Sequence, residues 1–399
     1  MGKRIVGINS VSYGSTGTIM LNIARTAREQ GLEFTTYSTC GRTQKKGVEG
    51  HRFIGTIAEH FISRVVNRRT GLQGAMNWFG TKKMLREIDR IKPDLIHLHN
   101  LHDNYVNVRL LFAYIKKHKI PVVWTLHDCW AMTGHCPHFI IAKCEKWKTG
   151  CYECPQYHKY PVAYRDRSKV LWQRKKEWFT GIENMTLVTP SRWLAGIVAQ
   201  SYLKDYPLEV IHNGIDLSIF RPQESDFRKK HHLEDKYLVL GVSFAWGERK
   251  GLDVFIELSK RLDERYQIVM VGTTEAVEKS LPDNIISIRR TASQTEMAQL
   301  YSCADVYLNP TREEVLGLVN IESLACGTPV ITFRTGGSPE TLDESCGIVV
   351  DCDDVDELER QTRRVCEEKP FSAEACMEHA KLFQLQDKYD SYVELFRRI

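Results

Sequence analysis

The sequence predicts an α/β protein made of two doubly wound domains. Three observations carry this expectation. Runs rich in β-branched residues alternate with runs of helical periodicity from one end of the chain to the other, the pattern of parallel strands covered by helices on both faces. The pattern is laid down twice, with a charged stretch between the two copies. The 399 residues also fit two or three domains, at about 150 residues each.

Each element has a local reason. Ile5, Val6 and Ile8 mark a first strand, and Gly14–Gly17 predicts a turn. Ile19, Met20, Ile23, Ala24 and Ala27 then recur at helical spacing until Gly31 ends the helix. A short strand follows at Phe34–Ser38. Met84, Leu85, Ile88 and Ile91 predict a helix that Pro93 stops. DLIHLH is a strand, 108–115 a helix and PVVWTL a further strand, and strands at 186–189 and 208–211 close the half. In the second half YLVLGV (237–242), QIVMVG (267–272), NIISI (284–288), DVYLNP (305–310), PVITF (329–333) and GIVV (347–350) read as strands with helices between them. The stretch 216–236, rich in charge and holding Pro222, is the expected linker. The domains expected are therefore 1–215, with a cysteine-rich insert at 129–160, and 216–380, followed by a C-terminal helix at 381–399 that packs back on the first. Such sheets bind ligands at the carboxyl ends of their strands, where the strand order reverses.

Composition narrows the classes. With 42% hydrophobic, 26% charged and 10% aromatic residues the chain reads as globular, not disordered. No run approaches the roughly 20 apolar residues of a membrane span. The start, MGKRIVGINSVSYG, reads as a strand rather than a signal peptide, and Val6 stands where a myristoylation signal has Ser or Thr. A cytoplasmic protein with reduced thiols is expected. The net charge of +5 conceals a division: residues 1–170 hold 27 Lys+Arg against 12 Asp+Glu, and residues 171–399 hold 28 against 38. An evenly basic nucleic-acid binder does not look like this, and no nucleic-acid partner is expected. A two-part protein whose first half meets something anionic does.

The most informative segment is PTREEVLGLVNIESLACGTPVI (310–331). A strand ends at Pro310, and a helix begins near Leu318. Backbone N–H groups of Leu316, Gly317 and Leu318 would lie at the helix N-terminus, an anion site suited to a diphosphate. Glu314 and Glu322, eight residues apart, can bracket a nucleotide sugar. The plainer alternative is acidic residues complementing a helix dipole.

This segment resembles the Glu-x7-Glu signature of retaining glycosyltransferases of family 4, which have the GT-B fold of two Rossmann-like domains facing a central cleft. TPSRW (189–193), VIHNGIDLSIFRP (210–222), RKGLDVFI (249–256), QTEMAQLYSCADVYLNPT (294–311), GGSPETL (336–342) and GIVVDCDDVDEL (347–358) resemble further parts of that family in the same order. HLHNLHDNYVN (97–107) and WTLHDCWAMTGHC (124–136) resemble members from bacterial exopolysaccharide, capsule and colanic acid-type pathways. The resemblance implies that the first domain binds acceptor and the second a nucleotide-diphosphate sugar. It implies that Glu314 holds the donor sugar, Glu322 the ribose, Lys250 the diphosphate, and His127, at a strand's carboxyl end, the sugar from the other side. Catalysis would need no metal, and the acceptor hydroxyl would attack on the leaving-group face with retention. Domain closure would exclude water.

Departures matter too. Where the family has Arg before the Lys, this chain has Ala245, so Arg249 is the candidate for the second diphosphate contact. Arg290 replaces a Gly of the base-binding loop, which leaves the nucleobase open. Of the family's Gly-Gly turn only Gly14 matches, and Gly17 closes the local Gly-Ser-Thr-Gly. His99 and His102 are expected on the acceptor side. His97 and His99 share one strand face, a spacing that also suits a metal, which the family does not use.

Two patterns stand apart. Cys136, Cys144, Cys151 and Cys154 end in CxxC, with His135 and His138 nearby. Four thiols at this spacing suit a structural Zn2+; reduced packed thiols or disulfides are the alternatives. Asp351-Cys352-Asp353 matches a metal-binding DxD pattern, and helix N-capping explains it better.

The expected function is transfer of a sugar to a glycan or lipid-linked glycan in cell-surface polysaccharide synthesis. Arg64, Arg68, Arg69, Lys82, Lys83 and Arg86 can meet anionic headgroups at the inner membrane face, or form a solvated basic surface. The rivals are a nucleotide-sugar epimerase of the same fold, an inactive glycan-binding protein, and a zinc-dependent nucleic-acid binder.

Overall fold

A computed structural model describes residues 2–41 and 47–399. The chain forms two compact units, Met1–Ile211 with Tyr389–Ile399, and His212–Lys388. The first holds a seven-stranded parallel sheet of β1 (Arg4–Ile8), β2 (Glu33–Thr39), β3 (His51–Ile54), β4 (Leu95–Leu98), β5 (Val122–Thr125), β6 (Met185–Thr189) and β7 (Leu208–Val210), in the order β3-β2-β1-β4-β5-β6-β7. Its central strands β4 and β5 are buried at every position, which is why they read as continuous apolar runs. Helices Gly14–Glu29, Trp78–Ile91 and Val108–His118 each bury one stripe, for example Leu111, Phe112 and Ile115 of the last.

The second unit holds a six-stranded parallel sheet of β8 (Tyr237–Val242), β9 (Tyr266–Val271), β10 (Ile285–Ile288), β11 (Val306–Asn309), β12 (Val330–Phe333) and β13 (Gly347–Val350), in the order β10-β9-β8-β11-β12-β13. Successive strand residues enter opposite cores. Leu238, Leu240, Val269 and Val271 pack in one cluster, and Val239, Ile268 and Met270 in the other. The strand order reverses between β1 and β4 in the first sheet and between β8 and β11 in the second. Those are the two positions at which such sheets present ligand sites.

Three expectations are corrected. The stretch 216–236 is not a linker. Phe220 and Leu233 are 4% and 3% exposed and join the second core, and Arg228 pairs with Asp305 and donates to the carbonyl of Cys303. Its charges are many, but they frame apolar anchors. The turn expected at Gly14–Gly17 is already the first turn of helix Gly14–Glu29. The cap of helix Val355–Glu368 is Asp354, which accepts from the Glu357 N–H. Asp351 and Asp353 instead pair with Arg334 and Arg312.

Strand β3 and helix Ile57–Thr70 have no counterpart in the sequence reading. That helix buries only Ser63 and Asn67 and exposes Ile57, Phe61 and Ile62, so its apolar residues do not mark a core stripe. The last helix, Leu385–Arg398, buries Tyr389, Tyr392, Val393 and Phe396. Tyr392 accepts from Thr125 Oγ1, and the Phe396 carbonyl accepts from Lys3. Among the described residues no helix is long and apolar enough to cross a membrane.

Candidate functional site

In the second unit the loops that leave β8 and β11 flank the point where strand order reverses. Lys250 comes from the first loop and Glu314 from the second. The Lys250 Nζ lies 2.6 Å from Glu314 Oε2, with the two side chains 18% and 20% exposed. The loops are tied together: the Arg312 N–H donates to the Arg249 carbonyl at 2.9 Å, and Thr311 Oγ1 donates to the same carbonyl at 3.3 Å. Burial would raise the Glu314 carboxyl, but Lys250 outweighs it, with help from the Val315 N–H and Arg249, and holds it below the usual range. Glu314 is therefore an anion with Oε2 on Lys250 and Oε1 on the Val315 N–H at 3.0 Å.

Gly317 precedes helix Leu318–Ala325 with φ of 90°, a conformation that suits glycine. Leu316 is 2% exposed and sits in the core, so only its backbone is available to a ligand. Gly336 lies so close to the Glu314 carbonyl that a Cβ there would come within 1.6 Å of it. The helix is fixed by a buried polar network. Asn320 accepts from Asn309 Nδ2 at 2.7 Å and donates to Ser338 Oγ and Thr341 Oγ1, each at 2.9 Å. Asn309, Asn320 and Ser338 were not singled out by sequence reasoning; a polar residue inside an apolar helix run was their only signal.

Glu322 lies one turn further on and accepts from the Tyr301 hydroxyl at 3.0 Å. Burial raises its pKa to about 7, against the lowering effect of that bond. Lys250, Arg249, Glu314, Gly317 and Leu318 thus gather at one sheet end with Glu322 beside them. Arg290 does not join them: it is exposed, just past the end of the edge strand β10.

In the first unit the loops after β1 and β4 flank the corresponding reversal, and Asn9 Oδ1 accepts from the Asn100 N–H at 3.2 Å. Gly14 opens the helix that follows β1. Gly17 lies within that helix, and a Cβ there would meet the Ser12 carbonyl carbon at 2.7 Å. His127 Nε2 lies 2.9 Å from His99 Nδ1, the rings stacked at 5.2 Å. Burial pushes His127 down to about 4 and His99 further below its usual value, so both are neutral. His99 Nε2 is buried without a partner. An unpaired acceptor is less costly there than an unpaired N–H. We therefore assign the His99 proton to Nδ1, donating to His127, which leaves the His127 proton on Nδ1.

His102 behaves in the opposite way. Burial would lower it, but Asp128 at 2.9 Å and Asp103 at 3.4 Å raise it to about 10. It is an imidazolium locked between carboxylates. His99, His102 and His127 line a small cavity of about 10 Å3. A larger cavity, about 490 Å3, is bounded by Ser10, Tyr13, His60, Arg64, Arg68, Asp103 and Tyr160 among others. The Tyr160 hydroxyl donates to Asp103 and contacts His102 Nδ1 at 3.1 Å. Asp103 and Tyr160 lie 57 positions apart, so no motif joins them.

Cys136, Cys144, Cys151 and Cys154 line one small cavity. A hydrogen bond from the Cys136 thiol lowers the Cys154 thiol below its usual value, whereas burial raises Cys151 to about 11.

Comparison with known proteins bears on the family and the fold. Residues 16–219 match the family model described as Glycosyltransferase Family 4, and residues 223–382 match that of Glycosyl transferases group 1. The chain is 23% identical over 408 aligned positions to WcaC of Escherichia coli, named as a colanic acid biosynthesis glycosyl transferase, covering 98% of each. Among solved structures, sucrose-phosphate synthase of Thermosynechococcus elongatus matches with a TM-score of 0.72 at 16% identity, over 99% of this chain and 98% of that one. HepE of Anabaena, in complex with UDP, matches at 0.70 and 14%, over 99% and 100%. At these identities the structural likeness shows the fold, which is GT-B. With both halves accounted for, the chain belongs to the glycosyltransferases these models describe, Glycosyltransferase Family 4 in its first half and Glycosyl transferases group 1 in its second.

Proposed function

We propose that this chain is a retaining glycosyltransferase that needs no metal for catalysis. It moves a sugar from a nucleoside diphosphate to a glycan or lipid-linked glycan acceptor in cell-surface polysaccharide synthesis, at the inner face of the cell membrane. The observation that carries the reading is the Lys250–Glu314 pair at the strand-order reversal of the second sheet, beside a helix N-terminus. A diphosphate arriving there competes with Glu314 for Lys250. Once Lys250 turns to the β-phosphate, Glu314 Oε2 is free to accept from the donor sugar's hydroxyls. Departure of the diphosphate builds negative charge, which Lys250, Arg249 and the N–H groups of Gly317 and Leu318 stabilise in place. The sugar becomes oxocarbenium-like. The acceptor oxygen bonds to the anomeric carbon on the face the phosphate leaves, and its proton passes to a phosphate oxygen. Glu322 accepts from the ribose hydroxyls. His127, neutral, offers its Nδ1–H to the sugar. Gly14 leaves room at the mouth of the helix that follows β1, and Gly17 lets the loop before it pack close.

The larger cavity of the first unit suits an anionic acceptor. Arg64, Arg68 and His60 meet its phosphate, and Asp103 with Tyr160 meets its sugar hydroxyls. Ile57, Phe61, Arg64 and Arg68 follow one another at i, i+4, i+7 and i+11, a single helix face. Its apolar end is exposed, Phe61 by 68%, and Phe79 nearby by 84%. A lipid-linked diphosphate sugar, with its chain in the bilayer, fits that order of groups.

The test incubates the chain with a panel of UDP-, GDP-, ADP- and dTDP-sugars and diphospholipid-linked acceptors. Expected is acceptor-dependent release of nucleoside diphosphate with no divalent metal added to the assay, and a product whose anomeric configuration by NMR equals the donor's. An inverted product, or conversion of donor without acceptor, would overturn the reading.

A further inference from the structure

Between β5 and helix Ser168–Phe179 the chain makes a long insert whose one regular piece is the short 3-10 turn Lys146–Lys148. At its centre Cys136, Cys144, Cys151 and Cys154 line a cavity of about 10 Å3, with Thr133, Phe139, Trp147 and others completing the wall. We propose that this cavity binds one Zn2+ through the four thiolates, as a structural site that fixes the insert to the first unit.

The donor set comes first. Four sulfurs match a tetrahedral structural zinc site, and an insert with so little regular structure gains its folding energy from such an ion. The cavity has the size of one small ion or water, yet its wall offers sulfur and aromatic carbon.

Two further observations point to an anionic centre there. Trp147 is 1% exposed, and its indole Nε1 has no partner. A buried N–H without an acceptor is costly, and sulfur anions in the same cavity wall supply one. The Gly134 N–H already donates to Cys151 Sγ at 3.1 Å. The second observation is Lys175, wholly buried, its Nζ held by the carbonyls of Trp130 at 2.8 Å and Thr133 at 3.1 Å and lying 3.4 Å from the Trp130 ring centre. Among the described residues it has no carboxylate within 4 Å. Burial alone drives its amine toward the neutral form, and Asp128 is taken by His102. Held charged, Lys175 needs a counter-charge. One Zn2+ with four thiolates carries a net charge of −2 and provides it; four neutral thiols do not.

The sulfurs surround the cavity without three of them lying within 4.8 Å of one another. Zinc at about 2.3 Å from each would bring them to about 3.8 Å apart. Cys144, Cys151 and Cys154 lie in irregular chain outside any helix or strand, so the site needs only local movement to close. Among the described residues the one triad of ligand atoms that close is Asp343, Cys346 and His379. Its Asp343 already accepts from the Ser345 N–H and hydroxyl, so it serves as the control site.

The full chain is expressed with zinc in the medium, purified without chelator and analysed for metal. One zinc per chain is expected, retained in Cys346→Ser and lost in Cys151→Ser/Cys154→Ser. If that double variant does not fold, cobalt exchange into the unmodified chain decides. Sulfur-to-cobalt charge-transfer absorption and tetrahedral d–d bands support the site. A metal-free chain with four titratable thiols or a disulfide overturns it. So does zinc that persists in the double variant or vanishes in Cys346→Ser, and so does cobalt without thiolate bands.

Discussion

Glu314 and Glu322 are eight positions apart on one segment and live in different electrostatic surroundings. Glu314 is held ionised by Lys250. Among the described residues no cation offsets burial at Glu322, which lifts it to about 7. The consequence has a definite sign. The unfolded chain releases this proton near 4.5 and the folded chain holds it to about 7, so the folded state binds more protons between those values. Glu322 therefore makes stability fall as pH rises through that window. Thermal melts of Glu322→Gln should show a flatter pH dependence between 4.5 and 7 than the unmodified chain, and equal slopes would refute the assignment. A ribose that needs the carboxylate should also bind more tightly above pH 7 than below. At this scale the sequence shows what lies within a motif: Glu314, Gly317 and Glu322 in one and Lys250 in another. Asp103 and Tyr160 were not legible, because the fold alone joins them, and neither were the opposite surroundings of His99 and His102, three positions apart. His99 is buried among other rings, and His102 lies between carboxylates.

Among elements, the strands were the most legible part of the chain. Buried parallel strands carry apolar residues on both faces, and β8 and β13 fall where the sequence puts them. Helix Ile57–Thr70 was hidden because its apolar residues face outward. The stretch 216–236 misled because its anchors, Phe220 and Leu233, are thinly spaced among charges. Two predictions belong here. Asn320→Leu takes the acceptor from Asn309 Nδ2 in the interior and removes one donor each from Ser338 and Thr341, which keep Thr332 Oγ1 and the Ser338 carbonyl. It should cost about 1–3 kcal/mol of stability, read from urea unfolding, and weaken nucleotide binding by shifting the helix N-terminus. A variant as stable as the parent would show the network to be incidental. Phe61→Ser removes one exposed ring from the proposed membrane face and should lower partitioning to anionic vesicles about tenfold, read by co-sedimentation. Since Phe61 supports no core, its melting temperature should not change. Binding that is indifferent to both the ring and anionic lipid would leave that face as ordinary basic surface.

Over the whole molecule the charge division takes on physical meaning. The basic residues 1–170 lie in the unit whose cavity of about 490 Å3 is walled by Arg64 and Arg68. Most of the acidic half lies in the unit in which the neighbours Arg249 and Lys250 stand at a sheet end. An acidic background with a few positioned cations binds a diphosphate by geometry rather than by bulk attraction, and this is the central claim. It is tested most directly by calorimetric titration of the full chain with UDP, GDP and ADP in EDTA, in parallel with Lys250→Ala. The account predicts that at least one nucleoside diphosphate binds without metal and that Lys250→Ala weakens it by about 10–100-fold, the scale of losing one hydrogen bond to a charged group. Binding of none of the three, or affinity unchanged in Lys250→Ala, would contradict it.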